Sequence, residues 1–191
     1  MLIGRYTALL DANVMHPAFL RGALLWFADE SLFQPAWSPD ILREWKHSLE
    51  RRFPDIDPAR LDAQAAVMNE QFPAAEIEAY HHLIPVLELP DENDRHVLAA
   101  AIIGKCDGLI TCNTKDFPTD RLAAYRIEVV HPDAFIVNVI DLDEGRALAA
   151  CRRHREAMTK SKPDAAAYLA HFEATGLIQS HQRLRPHIDL L

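Results

Sequence analysis

The sequence predicts an α/β fold with a central parallel sheet, followed by a helical extension at the carboxyl end. Short apolar runs that suit buried strands alternate with segments whose apolar residues recur at helical spacing. From about residue 132 onward the pattern is helical only. With 191 residues, of which 49% are hydrophobic, the chain can bury a sizeable core. We therefore predict one domain over residues 1–140 and a helical extension over residues 141–191.

The amino-terminal part of the chain contains two predicted strands, each followed by a helix. Residues 6–10 are a short apolar run typical of a buried strand, and a helix follows over about residues 17–29. A second strand is predicted over residues 32–37. Residues 38–40, Ser-Pro-Asp, provide an N-cap, a proline at the first helical position and an early acid. The next helix therefore begins there and ends near residue 52.

The middle of the chain continues the alternation after a break at residues 53–58. Two helical patterns are predicted to form a pair, and Gly104 is expected to end the helix with the clearest apolar pattern. The predicted helices cover residues 59–71, 74–82 and 94–104, and the predicted strands cover residues 85–89, 108–111 and 127–130. Strands alternating with helices favour a parallel sheet with helices on both faces.

Charge and composition narrow the class of protein. The formal net charge is −8, and residues 1–140 carry 21 acids against 12 Lys and Arg. A cluster of acids around a metal would contribute to this excess, and so would a solvated acidic surface. The longest apolar runs fall far short of the roughly 18 residues of a membrane span, and the start lacks a cleavable signal pattern. We expect a cytoplasmic protein with no membrane contact, whose three cysteines are free thiols.

Four acids are predicted to meet at one edge of the sheet. Asp11 follows the first strand and Asp116 follows the strand at residues 108–111, whereas Glu44 and Asp94 lie near helix starts. In an open parallel α/β sheet, strand ends and helix starts share the edge where ligands bind. Taken singly, each acid is more often a turn residue, a helix cap or a solvated charge. Their joint placement is what favours a site.

Helical periodicity supports the assignment of Asp94 to the site more strongly than that of Glu44. Asp94 shares its helix face with an apolar stripe, namely Val97, Leu98, Ala101 and Ile102. A carboxylate at the head of a buried stripe is costly without a cation or hydrogen-bond donors. Glu44 only borders the stripe of its own helix and would reach the site as a long side chain.

Carboxylates brought together in this way predict a site for Mg²⁺ or Mn²⁺, which prefer oxygen ligands. Such a site suits phosphodiester hydrolysis, because a bound cation can activate water and neutralise charge on the phosphate. We expect Asp11, Asp94 and Asp116 to ligate the metal, with Glu44 as a ligand or an orienter of water. Asp91 is interpreted as a helix N-cap that can also join the site.

Four segments resemble, in order, the motifs of PIN-domain nucleases: residues 10–13, 38–44, 91–101 and 111–117. The resemblance covers about residues 5–137 and implies a PIN-like α/β/α sandwich. It also implies a Mg²⁺- or Mn²⁺-dependent ribonuclease of the VapC type, the toxin of a toxin–antitoxin pair. The catalytic roles would fall on Asp11, Glu44, Asp94 and Asp116, with Asn13 and Thr111 as supporting polar groups. Asn113 stands where some relatives carry another acid, which leaves the number of metal ions open.

The resemblance also implies partners and extends to the tail. The helical tail is similar to the C-terminal extension of one VapC-like subgroup. In the family, the region corresponding to the predicted helical pair contributes to antitoxin binding and to a homodimer contact. We expect RNA to contact basic residues on or beside the acid-bearing segments, namely Arg43, Lys46, Arg95 and Lys115. The basic run at residues 152–155 is either a phosphate contact or the solvated face of a helix.

Two other functions remain open from the sequence. A phosphatase of the haloacid-dehalogenase type would use Asp11 as a nucleophile on the first strand. That chemistry normally has a second acid two residues later, where this chain has Asn13. The third reading is a catalytically inactive PIN-like module that binds RNA or protein and in which the acids are remnants.

Overall fold

The structure is a computed structural model that describes residues 6–191, so the first five residues of the predicted amino-terminal domain lie outside the described residues. In chain order its elements are β1 (Thr7–Leu10), α1 (Ala12–Met15), α2 (Ala18–Asp29), β2 (Gln34–Ala36), α3 (Pro39–Arg52), α4 (Pro58–Gln71), α5 (Arg95–Ile103), β3 (Gly108–Ile110), α6 (Thr119–Ala123), β4 (Glu128–Val130), α7 (Pro132–Leu142), α8 (Glu144–Ala157), α9 (Ala165–Ala174) and α10 (Ile178–Leu184). Short 3₁₀ segments occur at His81–Val86, Glu92–Asp94, Thr114–Asp116 and Arg185–Leu190.

The described chain forms two compact units. One comprises Tyr6–His16 and Pro35–Val130, and is called the sheet unit here because it contains nearly all of the sheet. The other comprises Pro17–Gln34 and His131–Leu191, and is called the helical unit. The helical unit is discontinuous in sequence because α2 packs against α8. The domain boundary predicted after residue 140 falls inside α7, and the division into domains at residues 1–140 and 141–191 stays a prediction.

The sheet has four strands in the order β2-β1-β3-β4. Pairing is parallel between β1 and β3 and between β3 and β4, with Leu10 level with Ile110 and Ile110 level with Val130. The two central strands are buried, as their continuous apolar runs predict. The predicted α/β class with a central parallel sheet is confirmed. Because the strand ends are level, residues that follow β1 and β3 come out side by side.

Local sequence accounts for the helix starts in the sheet unit. The Ser38 hydroxyl accepts a hydrogen bond from the amide of Ile41 at 3.2 Å, and Pro39 occupies the first helical position of α3. Asp57 caps α4 in the same manner, through a hydrogen bond of 3.0 Å from the amide of Ala59. The predicted start of α3 is therefore confirmed, and with it the placement of Glu44 one turn inside the helix.

The predictions for residues 74–89 were wrong. Residues 74–80 do not form a helix, and Glu76 instead makes a parallel bridge with Trp37 beyond the end of β2. His81–Val86 form a 3₁₀ helix, so the strand predicted at residues 85–89 is absent from this stretch. The bridge depends on a partner 39 residues away in sequence, which local periodicity cannot detect. Pro85 lacks a backbone N–H and cannot contribute to strand pairing in the usual way.

Two further expectations can be compared with residues 6–191. Cys106, Cys112 and Cys151 are free thiols, as predicted. Among the helices of the described chain, none has both the length and the apolar character needed to cross a bilayer.

The helical unit contains the predicted tail and a histidine in its core. His154 lies on α8 and is only 6% exposed, with its Nδ1 atom 3.1 Å from the hydroxyl of Tyr168. Gly22 on α2 has no Cβ, and the imidazole of His154 occupies the space that a Cβ would need. The basic run of residues 152–155 is thus interrupted by a core residue, and Arg152 and Arg153 are paired with acids of their own unit.

The buried imidazole predicts that the protein loses stability in mild acid. Burial, together with the charge of His171, lowers the pKa of His154 to about 4. The unfolded chain therefore binds this proton at a higher pH than the folded chain does. The contribution to stability is complete above about pH 6.5 and is lost as the pH falls toward 4, by up to about 3 kcal/mol. Urea unfolding at pH 7.5 and pH 4.5 measures the loss.

His154→Gln is the informative variant, because glutamine keeps a polar group near Tyr168 and does not titrate. The difference in unfolding free energy between the two pH values should shrink in His154→Gln. The exposed His82 provides the matched control, since His82→Gln should leave the difference as in the wild type. An equal pH dependence in wild type and His154→Gln would contradict the assignment.

Candidate active site

Asp11 and Thr111 form the centre of the sheet edge. They follow the level ends of β1 and β3, and the amide of Asp11 continues the ladder by donating to the carbonyl of Ile110 at 3.1 Å. The carboxylate of Asp11 is buried and accepts hydrogen bonds from Thr111 Oγ1 at 2.7 Å and from Asn13 Nδ2 at 2.5 Å. The two strand ends are therefore joined through one carboxylate.

Asn13 and Thr111 do more than contact Asp11. Asn13 Nδ2 also donates to Thr111 Oγ1 at 2.9 Å, and Asn13 Oδ1 accepts from the amide of Cys112 at 3.0 Å. Thr111 Oγ1 in turn accepts from the amide of Asn113 at 3.0 Å. These bonds fix the loop after β3, and the loop leads directly into the turn that carries Asp116. Both residues thus occupy the positions expected of supporting polar groups.

Three acids come close enough to share a cation. One oxygen each from Asp91, Asp94 and Asp116 lies within 4.8 Å of the others. Asp94 ends a 3₁₀ turn directly before α5, whereas Asp116 lies in the 3₁₀ turn after β3 and accepts a hydrogen bond from Asn113 Nδ2. We call these three residues the acidic cluster. Asp11, expected as a direct ligand, lies outside this group of three, and Asp91 lies within it.

Asp91 is placed for both of the roles that the sequence left open. Its carboxylate caps the turn before α5 by accepting hydrogen bonds from the amide and the side chain of Asn93, both at 2.9 Å. The same side chain offers an oxygen to the acidic cluster. A cap and a contribution to a metal site are therefore compatible at this position.

The charges of the acids act on one another. Burial and the neighbouring charges of Asp11, Asp91, Asp116 and Glu44 together raise the pKa of Asp94 to about 6, with burial as the largest cause. Burial also raises the pKa of Asp11, against the opposing effect of the Thr111 hydrogen bond. Asp11 and Glu44 thus belong electrostatically to the same site as the acidic cluster. Oxygen donors that repel one another suit a hard divalent cation, which would relieve the repulsion.

Glu44 reaches the site with a partner that sequence reasoning missed. Its Oε1 atom lies 2.9 Å from Nε2 of His96, which is buried in the first turn of α5. Burial lowers the pKa of His96, but the hydrogen bond and charge of Glu44, together with the charges of Asp40 and Asp11, outweigh burial and raise it overall. The signal in the sequence was a histidine directly before the apolar run Val97–Ile103.

The side chains predicted to contact RNA differ in whether they form salt bridges. Three of them are paired with acids: Arg43 with Asp40 at 2.7 Å, Lys46 with Asp62 at 2.7 Å and Arg95 with Glu92 at 2.8 Å. Lys115 is exposed beside Asp116 and has no salt bridge to another residue of the stretch 6–191. Exposed ion pairs are weak, so phosphate groups can compete for the basic partners.

A surface depression next to the acidic cluster adds a basic residue that the sequence analysis did not name. Its volume is about 580 Å³, and it is lined by Glu88, Leu89, Pro90, Arg95, Pro118, Asp120 and Arg121. Pro90 directly precedes Asp91 and Arg95 directly follows Asp94, so the depression borders the segment that carries these two acids. Arg121, paired with Glu88 at 2.8 Å, lines the depression as Arg95 does.

Comparison with known protein families agrees with the predicted nuclease domain and helical extension. The family model described as PIN domain matches residues 7–115, which is more than half of the chain. The chain belongs to the PIN-domain family. A second family model, described as VapC50 C-terminal domain, matches residues 132–186 of this PIN-domain protein. The predicted combination of a VapC-type PIN domain with a helical C-terminal extension is confirmed.

One curated relative carries a functional name. The chain is 47% identical over 51 residues to a protein of Mycobacterium tuberculosis (strain ATCC 25618 / H37Rv) named "Putative ribonuclease VapC50". The alignment covers 27% of this chain and 30% of the relative. No solved structure matches this PIN-domain protein significantly.

Proposed function

We propose that this chain is a divalent-metal-dependent endoribonuclease, the toxin of a VapC-type toxin–antitoxin pair. The single observation that carries the proposal is the acidic cluster, with Asp11 and Glu44 in electrostatic range, at the carboxyl edge of a PIN-domain sheet. The name of the relative, a ribonuclease, supports the same activity. Membership of the PIN-domain family sets aside the phosphatase alternative.

The residues that would hold the metal are acids with fixed surroundings. Asp91, Asp94 and Asp116 are assigned as direct ligands, because one oxygen of each lies within 4.8 Å of the others. Asp11, expected from the sequence as a ligand, lies outside this group of three and would add its charge from electrostatic range. When bound, Mg²⁺ or Mn²⁺ would supply positive charge for the scissile phosphate and promote ionisation of water. Thr111 and Asn13 hold the carboxylate of Asp11 in place through their two hydrogen bonds. The donor set therefore fits a hard cation without a nucleophilic side chain.

Glu44 and the basic residues have separate tasks in the proposed reaction. Glu44 Oε1 is bonded to His96, and the second oxygen, Oε2, can accept a hydrogen bond from water and orient it. Lys115 and Arg95 adjoin acids of the cluster and are assigned to the phosphates that flank the cleaved bond. Arg43 and Lys46 on α3 would contact the backbone further away. The products would carry a 3′-hydroxyl and a 5′-phosphate.

Cleavage assays with the full chain test the proposal. Purified protein is incubated with RNAs of varied sequence in Mg²⁺, Mn²⁺ or EDTA, and the end groups of the products are determined. We expect cleavage in Mn²⁺ or Mg²⁺ that is lost in EDTA and in Asp11→Asn. Asp55→Asn removes an exposed acid outside the site and should retain wild-type cleavage.

Metal binding separates the nuclease from an inactive binding module. Calorimetric titration with Mn²⁺ should show a site in the wild type and a much weaker one in Asp11→Asn. Wild-type protein that neither binds Mn²⁺ nor cleaves any RNA would contradict the proposal and favour the binding module. The proposed partners, an antitoxin and a second copy of the chain, are tested by copurification with the product of an adjacent gene and by light scattering.

A further inference from the structure

His96 is the buried polar residue of α5 whose position the proposed reaction does not yet explain. It is 9% exposed and lies in the first turn of the helix, two residues after Asp94. The five residues that follow it, Val97–Ala101, are apolar and buried. Across the site, its Nε2 atom lies 2.9 Å from Oε1 of Glu44 on α3.

The direction of this hydrogen bond follows from the chemistry of the two groups. An ionised carboxylate has no proton to donate, so His96 Nε2 carries the hydrogen and Glu44 accepts it. The other ring nitrogen, Nδ1, is buried without a hydrogen-bond partner among residues 6–191. Within the described chain, the hydrogen-bonding capacity of His96 is therefore directed at Glu44.

Packing alone does not account for a histidine at this position. A buried polar ring costs free energy that an apolar side chain of similar size avoids. Its Nδ1 atom is left unsatisfied within the described chain, and such atoms are uncommon in folded proteins. Leucine would fill the space on α5 and continue the apolar run. The polar contact with Glu44 is what distinguishes histidine from leucine here.

Glu44 has a corresponding need for a fixed orientation. Its side chain is 45% exposed and extends from α3, and a solvated glutamate samples many rotamers. The contact with His96 restrains the carboxylate within electrostatic range of Asp11 and Asp94. A group that orients water must hold its oxygen in place, because small displacements reduce the rate strongly.

We propose that His96 is a positioning residue that holds the Glu44 carboxylate beside Asp11 and Asp94 by donating a hydrogen bond from Nε2 to Oε1. The inference rests on the proposed function, since it assigns His96 its task through Glu44. His96 itself needs no contact with RNA or metal. Its loss should therefore mimic the loss of an ordered Glu44 rather than the loss of substrate binding.

A double-mutant cycle tests this coupling. The full-length variants are His96→Leu, His96→Gln, Glu44→Gln and the double variant His96→Leu/Glu44→Gln. His96→Leu should lower kcat for RNA cleavage by about ten- to a hundredfold, with little change in KM, as removal of an outer hydrogen-bond partner typically does. His96→Gln keeps an N–H donor and should recover most of the rate. In the Glu44→Gln background, His96→Leu should have little further effect.

His81 offers a matched control, because it contacts a carboxylate on the helix that carries Glu44. Its Nε2 atom lies 3.0 Å from Oδ2 of Asp40, which is also on α3 but is not a member of the acidic cluster. His81→Leu removes a histidine–carboxylate contact of the same chemistry and should leave kcat near the wild-type value. Thermal melting of every variant verifies that it is folded.

Mn²⁺ calorimetry supplies a readout that does not depend on cleavage. His96→Leu should bind Mn²⁺ about tenfold more weakly than the wild type, and the difference should vanish in the Glu44→Gln background. A rate or affinity loss that persists in that background, or that His96→Gln fails to recover, would overturn the positioning role.

The two proposals fail in different ways. If the wild type binds Mn²⁺ but cleaves no RNA, the proposed function fails, and the Mn²⁺ affinities still decide the role of His96. If the wild type binds no Mn²⁺, both proposals fail. If the wild type cleaves RNA and His96→Leu matches it in kcat and Mn²⁺ affinity, only the role of His96 fails.

Discussion

Replacing Asp94 with asparagine should lower metal-dependent RNA cleavage by about a thousandfold, because a metal site contributes several kcal/mol to transition-state stabilisation. The same change should stabilise the metal-free protein at neutral pH. Asp94 lies in the acidic cluster and also feels the charges of Asp11 and Glu44. Without a cation these negative charges repel, and a neutral amide at residue 94 removes part of the repulsion.

The pH dependence gives the sign of the stability effect. Burial and the neighbouring acids raise the pKa of Asp94 from 3.8 to about 6 in the folded protein. Between these values the folded chain binds the proton more tightly than the unfolded chain, so stability falls as the pH rises. The ionised Asp94 should therefore lower the free energy of unfolding of the wild type by its full amount above about pH 6 and hardly at all near pH 4. Since the side chain is partly exposed, we expect a penalty of about 1 kcal/mol.

Thermal melting in EDTA at pH 4.5 and pH 8 measures this penalty. Asp94→Asn should melt about 2–4 °C above the wild type at pH 8, and the difference should shrink at pH 4.5. Asp55→Asn, a change of the same type at an exposed acid outside the site, should not show this pattern. An Asp94→Asn protein that melts below the wild type at pH 8, or that cleaves RNA normally, would contradict the assignment.

The expected loss of cleavage and the expected gain in metal-free stability of Asp94→Asn have a common origin. Acids held together are unfavourable neighbours without a cation, so the free energy of binding the proposed metal would compensate for a cost built into the fold. The hydrogen bonds from Thr111 and Asn13 to Asp11 offset part of that cost. Adding Mn²⁺ should therefore raise the melting temperature of the wild type more than that of Asp94→Asn.

Local sequence predicted the parts of the site that depend on neighbouring residues. The apolar run before Asp11 gave β1, and Ser38-Pro39 gave the start of α3 and hence the depth of Glu44 in the helix. Level strand ends then brought Asp11 and Thr111 together. Parallel pairing follows from the alternation of strands and helices, so this edge could be derived without any distance information.

Features that depend on distant partners could not be predicted in this way. His96 and Glu44 are 52 positions apart, and the hydrogen bond between them leaves no periodic trace in either helix. The bridge between Trp37 and Glu76 likewise turned a predicted helix into extended chain. Asp91 was assigned correctly as a cap, but only the structure brings its oxygen near that of Asp116.

Asp133 in the helical unit also has partners that are distant in sequence. Its replacement by alanine should destabilise that unit by about 3–4 kcal/mol. The side chain is 4% exposed and lies in the first turn of α7. Its two oxygens accept hydrogen bonds from the amide of Gln179 at 2.9 Å and from the amide and hydroxyl of Ser180 at 2.8 and 2.7 Å. Asp133 thus caps the amino terminus of α10 from another helix.

The size of the effect follows from what alanine leaves behind. Three donors lose their acceptor, two of them are backbone amides at a helix start, and water reaches this buried place poorly. The negative charge that complements the dipole of α10 is lost as well. Ser180→Ala removes a single hydroxyl donor to this carboxylate and should cost only about 1 kcal/mol.

Chemical unfolding followed by circular dichroism measures these differences in the full chain. The expected order of stability is wild type, Ser180→Ala, Asp133→Asn and Asp133→Ala, because asparagine retains one acceptor oxygen and alanine none. Melting of Asp133→Ala should fall by roughly 6–16 °C, given about 2–4 °C for each kcal/mol in a protein of this size. Equal stability of Asp133→Ala and Ser180→Ala would show that the cap on α10 contributes little, and that α10 is held mainly by its apolar contacts.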